Sequence, residues 1–214
     1  MSLKKAVVEK DVEGVYRSEI TRLTGAAWTS PHGTDGYTEW STVRLLLETK
    51  YDLDLKSRAA SCGVLGQVIL YLKKFEESGD ALPNVVLVGD KNECFVLSTA
   101  SVKGFLDLPI DWSVAPSKGN PELTSALVNG VNILPYVIDI DENFAFRSLI
   151  SEIEVLSAGE QATVRASVEN LGAIFTYWRD RVFRVGKGKQ ALSSTEQVDV
   201  FLRCLFQPND VYLH

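Results

Sequence analysis

An apolar run that ends in charge constrains this chain more than any other feature. In Arg44-Leu45-Leu46-Leu47-Glu48-Thr49-Lys50-Tyr51, three leucines give way to Glu48 and Lys50, two positions apart and therefore on one face of a strand. The β-rich run 37–40 precedes it, and Ser41-Thr42 between the two runs predicts a tight hairpin. With the turn there, Trp40 opposes Val43, Glu39 opposes Arg44 and Asp35 opposes Glu48. Directly opposed Cβ atoms lie about 4.5 to 5.5 Å apart, where two carboxylates repel unless a cation joins them, and Mg²⁺ is the oxygen-seeking candidate. The same register makes Glu39 and Arg44 a cross-strand ion pair. An E-x-K tripeptide alone carries little, since about one is expected by chance in such a chain. A similar tripeptide, Asp54-Leu55-Lys56, sits at the mouth of a helix, where an aspartate reads as a cap.

Around this hairpin the pattern alternates. Val12, Val15, Tyr16, Ile20 and Leu23 recur at helical spacing over 9–24, with Gly25 to end the helix. A second helix is expected over about 57–75, with Leu65, Val68, Ile69, Leu72 and Phe75 on one stripe. Strands at 85–88 and 94–97 flank the turn signal Gly89-Asp90-Lys91-Asn92. A short helix starts at Pro121 and a further strand is expected over 133–140. Helical segments follow at roughly 142–156, 160–184 and 195–206. The expected architecture is α/β, a mixed sheet flanked by helices, with residues 1–141 as the sheet domain and 142–214 as a helical connector or appendage.

Composition removes whole classes of chemistry. Two histidines, His32 and His214, exclude a three-histidine zinc centre and an H-E-x-x-H helix. Catalysis must rest on carboxylates, lysine or a hard metal ion. Three well-separated cysteines, Cys62, Cys94 and Cys204, form no C-x-x-C and read as buried thiols. No G-x-x-x-x-G-K-[ST] is present, and Gly186 to Ala191, which matches a dinucleotide fingerprint as text, follows a helical pattern and not a strand. No apolar run reaches the roughly 18 residues of a membrane span, and the charged start lacks a secretory h-region, so a cytoplasmic location is expected. With 22 basic and 28 acidic residues the net charge is −6, so any nucleic-acid site needs local positive charge. Arg179, Arg181, Arg184, Lys187 and Lys189, interleaved with Trp178 and Phe183, supply such a cluster, which reads equally as a solvated helix end.

The second helix offers an independent pattern, Gly63, Gln67 and Tyr71 at four-residue spacing on one face, apart from its apolar stripe. With the order helix, hairpin carrying Asp35 and Glu48-Thr49-Lys50, helix and two strands, residues 9–97 resemble the PD-(D/E)xK nuclease superfamily. Gln67 and Tyr71 are similar to the extra Q-x-x-x-Y motif of its RecB-like members. More narrowly, Asp35-Gly36-Tyr37, 46–52, 67–72 and 82–86 resemble the nuclease domain at the N-terminus of fused restriction-modification proteins that carry an adenine methyltransferase. The chain departs from the pattern in having no proline immediately before Asp35.

The resemblance implies a restriction-endonuclease-like fold and a Mg²⁺-dependent endodeoxyribonuclease, with Mn²⁺ as a substitute. Asp35, Glu48 and the Thr49 carbonyl would bind the metal, which polarises the phosphate and activates a water that Lys50 orients. Gln67 and Tyr71 would position the strand or steady the metal, and an acidic residue of the first helix would assist, Glu19 first and Glu13 second. Implied partners are DNA and, in a longer polypeptide, a methyltransferase and a specificity domain. The apolar ending Val211-Tyr212-Leu213-His214 is in keeping with a fragment of such a chain. Two other classes fit the same residues: a catalytically silent DNA-binding or scaffold module, and a structure-specific or RNA-processing nuclease.

Overall fold

The computed structural model describes residues 3–130, 136–141 and 144–178. The chain divides into two compact units, Met1–Glu160 and Gln161–His214. The first contains helix α1 (Glu9–Thr24), strands β1 (Trp28–Thr29), β2 (Gly36–Trp40) and β3 (Val43–Thr49), helix α2 (Arg58–Ser78), strands β4 (Val85–Gly89) and β5 (Glu93–Ser98), helix α3 (Pro121–Asn129) and strand β6 (Ile138–Asp139). Helix α4 (Phe146–Trp178) begins in it. The strands form one six-stranded sheet in the order β1-β2-β3-β4-β5-β6. Among the described strands only β3 and β4 pair in parallel, because α2 returns the chain to the end where β3 began.

Each helix end has a local cause. Gly25 and Gly79 close α1 and α2 in the left-handed region, with φ of 74° and 72°, where a side chain is disfavoured. Asn120 starts α3 by accepting the amides of Glu122 and Leu123.

The expected hairpin register holds, with Trp40 opposite Val43 and Gly36 opposite Leu47. Glu39 opposes Arg44, but the expected ion pair is not formed. Glu39 instead accepts the Tyr37 hydroxyl, two residues along its own strand, and Arg44 Nε donates to the Leu82 carbonyl at 2.8 Å. The sheet separates two cores. Val43, Leu45 and Leu47 of β3 pack with Val12, Tyr16 and Ile20 of α1. Leu46 packs on the other side, with Leu65, Ile69 and Leu72 of α2. By the two-residue period of a strand, Glu48 follows Leu46 to the α2 side.

Several expectations change in detail. The two-residue β1 was too short to show a pattern. The strand expected over 133–140 is Ile138–Asp139 among the described residues, with 131–135 outside them. Among the described residues the helices expected at 142–156 and 160–184 are one helix, α4, through Gly159, because a single glycine costs a helix only about 1 kcal/mol against alanine; 179–184 lie outside them. The segment 195–206 lies outside the described residues. The first unit runs past the expected division at 141 to Glu160, since Leu149, Ile150 and Ile153 of α4 are buried against the α1 side of the sheet. Asn84 adds a polar tie there, its Nδ2 donating to the Thr42 carbonyl at 2.9 Å and to Ser157 Oγ at 3.0 Å, while its Oδ1 accepts the Arg44 amide.

Candidate active site

The end of β3 is where the sequence-predicted residues meet. Asp35 stands just before β2, and its Oδ2 accepts both the Thr49 amide at 2.7 Å and the Thr49 hydroxyl at 2.8 Å. This clamps the loop before β2 onto the last residue of β3 and leaves Asp35 aimed at the strand end. Glu48 is 3% exposed, and its Oε1 lies 2.6 Å from Lys50 Nζ. The other oxygen, Oε2, is buried with no hydrogen-bond partner. A buried carboxylate oxygen without a donor is costly, which makes this atom the least satisfied feature of the strand end.

The electrostatics are unequal across the Glu48–Lys50 pair. Burial pushes Glu48 up from an ordinary 4.5 to about 7; Lys50 opposes the rise, and Asp35 and Glu9 add to it. At Lys50, burial acts downward, but Glu48, Glu9 and Asp35 outweigh it and hold the ammonium above its usual value. Lys50 is therefore a fixed cation beside the carboxylates and not a base.

The acidic residue that α1 brings to this group is Glu9, whose Oε1 is 3.7 Å from Lys50 Nζ. The expected candidates are engaged elsewhere. Glu19 pairs with Arg22 at 2.6 Å, ten residues and about 15 Å further along the helix axis. Glu13 pairs with Arg17 and Lys10, each at 3.0 Å. Glu9 escaped notice because it is the first residue of α1, where an acid reads as a partner for the helix dipole. No sequence pattern marks it: Glu9 reaches Lys50 because α1 packs along β3 with its start toward the strand end.

Helix α2 sends two residues to the same region. Tyr71 donates its hydroxyl to the Gly33 carbonyl at 3.2 Å, steadying the turn that precedes Asp35. Burial, then the charges of Glu48, Asp35 and Glu9, push Tyr71 up to about 12, so it stays a neutral donor. Gln67, half-buried, lines an open cleft together with Lys50. Behind the strands, Gly89 lies opposite Thr49, and its carbonyl accepts the Lys50 amide at 2.9 Å. A side chain at Gly89 is barred by Tyr16, whose ring would lie 2.5 Å from the added carbon. Asp90 then accepts the Leu53 amide at 3.1 Å, holding the turn that follows Lys50.

Among the described residues, no cluster of three or more His, Cys, Asp or Glu side chains suited to a metal ion is present. The expected ligand set has two carboxylates and a backbone carbonyl. The unpaired Glu48 Oε2, within electrostatic reach of Asp35, offers an oxygen donor of the kind a hard cation of the Mg²⁺ class takes. Cys62 and Cys94 are buried free thiols as expected, and Cys204 lies outside the described residues. So do Arg179, Arg181, Arg184, Lys187 and Lys189. Among the described residues, no helix is long and apolar enough to cross a membrane. No family model, curated protein or solved structure matches the chain.

Proposed function

We propose that the first unit is a metal-dependent DNA endonuclease of the PD-(D/E)xK type, hydrolysing phosphodiester bonds with Mg²⁺ or Mn²⁺. The observation that carries the reading is the buried, unpaired Glu48 Oε2 next to the Lys50 ammonium, within electrostatic reach of Asp35. Asp35, Glu48 and the Thr49 carbonyl would hold the cation, which when bound supplies Lewis-acid polarisation of the phosphodiester.

The protein's own groups do the rest. Hydrolysis adds a water oxygen to phosphorus, breaks the bond to one sugar oxygen and returns a proton to that oxygen. Negative charge grows on the phosphoryl oxygens, and the Lys50 ammonium, held by Glu48 and Glu9, is a preorganised cation for it. The Asp35 clamp and the Tyr71 contact fix the strand end, so little reorganisation is needed. A place beside a methyltransferase and a specificity domain in a longer restriction-modification polypeptide belongs to the same proposal.

The test is cleavage of end-labelled DNA by the full chain and by Lys50→Met in Mg²⁺, Mn²⁺ and chelator. Metal-dependent cleavage that falls at least 100-fold in Lys50→Met is expected. Undiminished cleavage by the variant would remove the mechanism. No cleavage by either protein would favour the silent nuclease-fold module.

A further inference from the structure

Beside Lys50 an open cleft of about 730 Å³ separates the first turns of α2 from α3 and the one-turn helix before it. Its size is that of pockets that take one small ligand, about 300 to 1,000 Å³. Among the described residues, Lys50, itself paired with Glu48, and Lys118 are the charged residues that line it, in a chain of net charge −6. Leu53, Val64 and Pro121 supply apolar wall, and Gln67, Thr124 and Asn129 supply hydrogen-bonding groups.

The opening is built into α2. At Gly66 the two helices touch, since an added carbon there would lie 3.4 Å from Thr124 Oγ1. One turn earlier, at Gly63, an added carbon would meet nothing within 4 Å. Arg58 holds the far side apart, its Nε donating to the Val128 carbonyl at 3.0 Å and its other arm reaching the Gly130 carbonyl. A glycine in mid-helix sacrifices about 1 kcal/mol against alanine, and here the space it leaves faces the cleft.

We propose that this cleft seats one unpaired nucleotide of a DNA strand, with its base between the α2 and α3 walls and its phosphate between Lys118 and Lys50. The inference rests on the nuclease reading above and deepens it. A base offers an apolar face to Leu53 and Val64 and polar edges to Gln67 and Asn129, and the two lysines complement the phosphate. A space of this size is that of a site for one small ligand, which a single nucleotide matches. The preferred substrate is accordingly a strand with an unpaired nucleotide at the site: an end, a flap or a base swung out of the duplex.

The test uses the full chain in chelator, so that binding is read without cleavage. Fluorescence anisotropy compares a labelled single-stranded oligonucleotide with the same sequence fully paired. Gly63→Leu is expected to weaken single-strand binding at least 10-fold, to affect the paired duplex less, and to melt no lower than the parent protein. Lys118→Glu, an exposed change on the opposite wall, is expected to weaken single-strand binding several-fold. Parental single-strand affinity in both variants overturns the proposal. The two readings fail separately: binding that Gly63→Leu abolishes in a protein that never cleaves removes the nuclease and keeps the cleft, and full cleavage by Gly63→Leu of DNA carrying an unpaired nucleotide does the reverse.

Discussion

Replacing Glu48 by glutamine keeps the shape of the side chain and removes its charge, so it isolates what the ionised carboxylate costs. The carboxyl titrates near 7 in the folded protein against an ordinary 4.5. Between those values the folded chain holds a proton that the unfolded chain has released, so stability falls as pH rises from 4.5 through 7. At about 1.4 kcal/mol for each tenfold change in proton affinity, the whole loss is about 3 kcal/mol, complete above pH 7. Glutamine is neutral throughout and escapes this loss. Urea unfolding in chelator should therefore show Glu48→Gln more stable than the parent by about 1 kcal/mol at pH 5.5 and about 3 kcal/mol at pH 8.5. A variant less stable than the parent at pH 8.5 would refute the reasoning. It would mean that the 2.6 Å contact with Lys50 makes Glu48 a structural ion-pair partner and not a strained functional group.

Other consequences are equally open to measurement. Gly89→Ala places a carbon 2.5 Å from the Tyr16 ring; chemical denaturation should show a loss of about 1 to 3 kcal/mol, and wild-type stability would place Tyr16 elsewhere. Asn84→Ala removes the side-chain acceptor of the Arg44 amide and one of the donors to the Thr42 carbonyl, which keeps Ser157; a loss of about 1 to 3 kcal/mol is expected, and a neutral result would remove the Asn84 tie to α4. Glu9→Gln should lower cleavage more than Glu19→Gln, compared as rates under one set of conditions, since only Glu9 reaches Lys50; the opposite order would restore Glu19 to the site. If the cluster at 179–189 tracks a phosphate backbone, neutralising Arg181, Arg184 and Lys187 together should reduce the slope of log affinity against log salt by about 2.7, and an unchanged slope would reject it.

Much of the fold was open to inspection in the residues because local and long-range signals agree. The stripe of α1, the glycines at 25 and 79, and Ser41-Thr42 each act within a few residues, and the hairpin register follows from the turn alone. The register also anticipated that Asp35 and Glu48 share one strand end, though Asp35 spends an oxygen on Thr49, a contact that depends on the loop before β2. Long-range packing was harder. Glu9 joins the group only because α1 lies on β3, and choosing among the four acids of that helix needs the angle and slide of that packing. The cleft depends on how far α3 stands from α2, which no pattern in residues 103–129 encodes. The segments expected at 142–156 and 160–184 join in α4, because the residues between them, Gly159 included, continue the helix.

Supercoiled plasmid incubated with the parent protein and with Glu48→Gln, in Mg²⁺ and in chelator, tests the central claim most directly. The expected result is metal-dependent nicking by the parent and at least a 100-fold loss in a variant that is folded and more stable. Nicking by Glu48→Gln at the parental rate would contradict it, because the carboxylate at the end of β3 would then have no part in the chemistry.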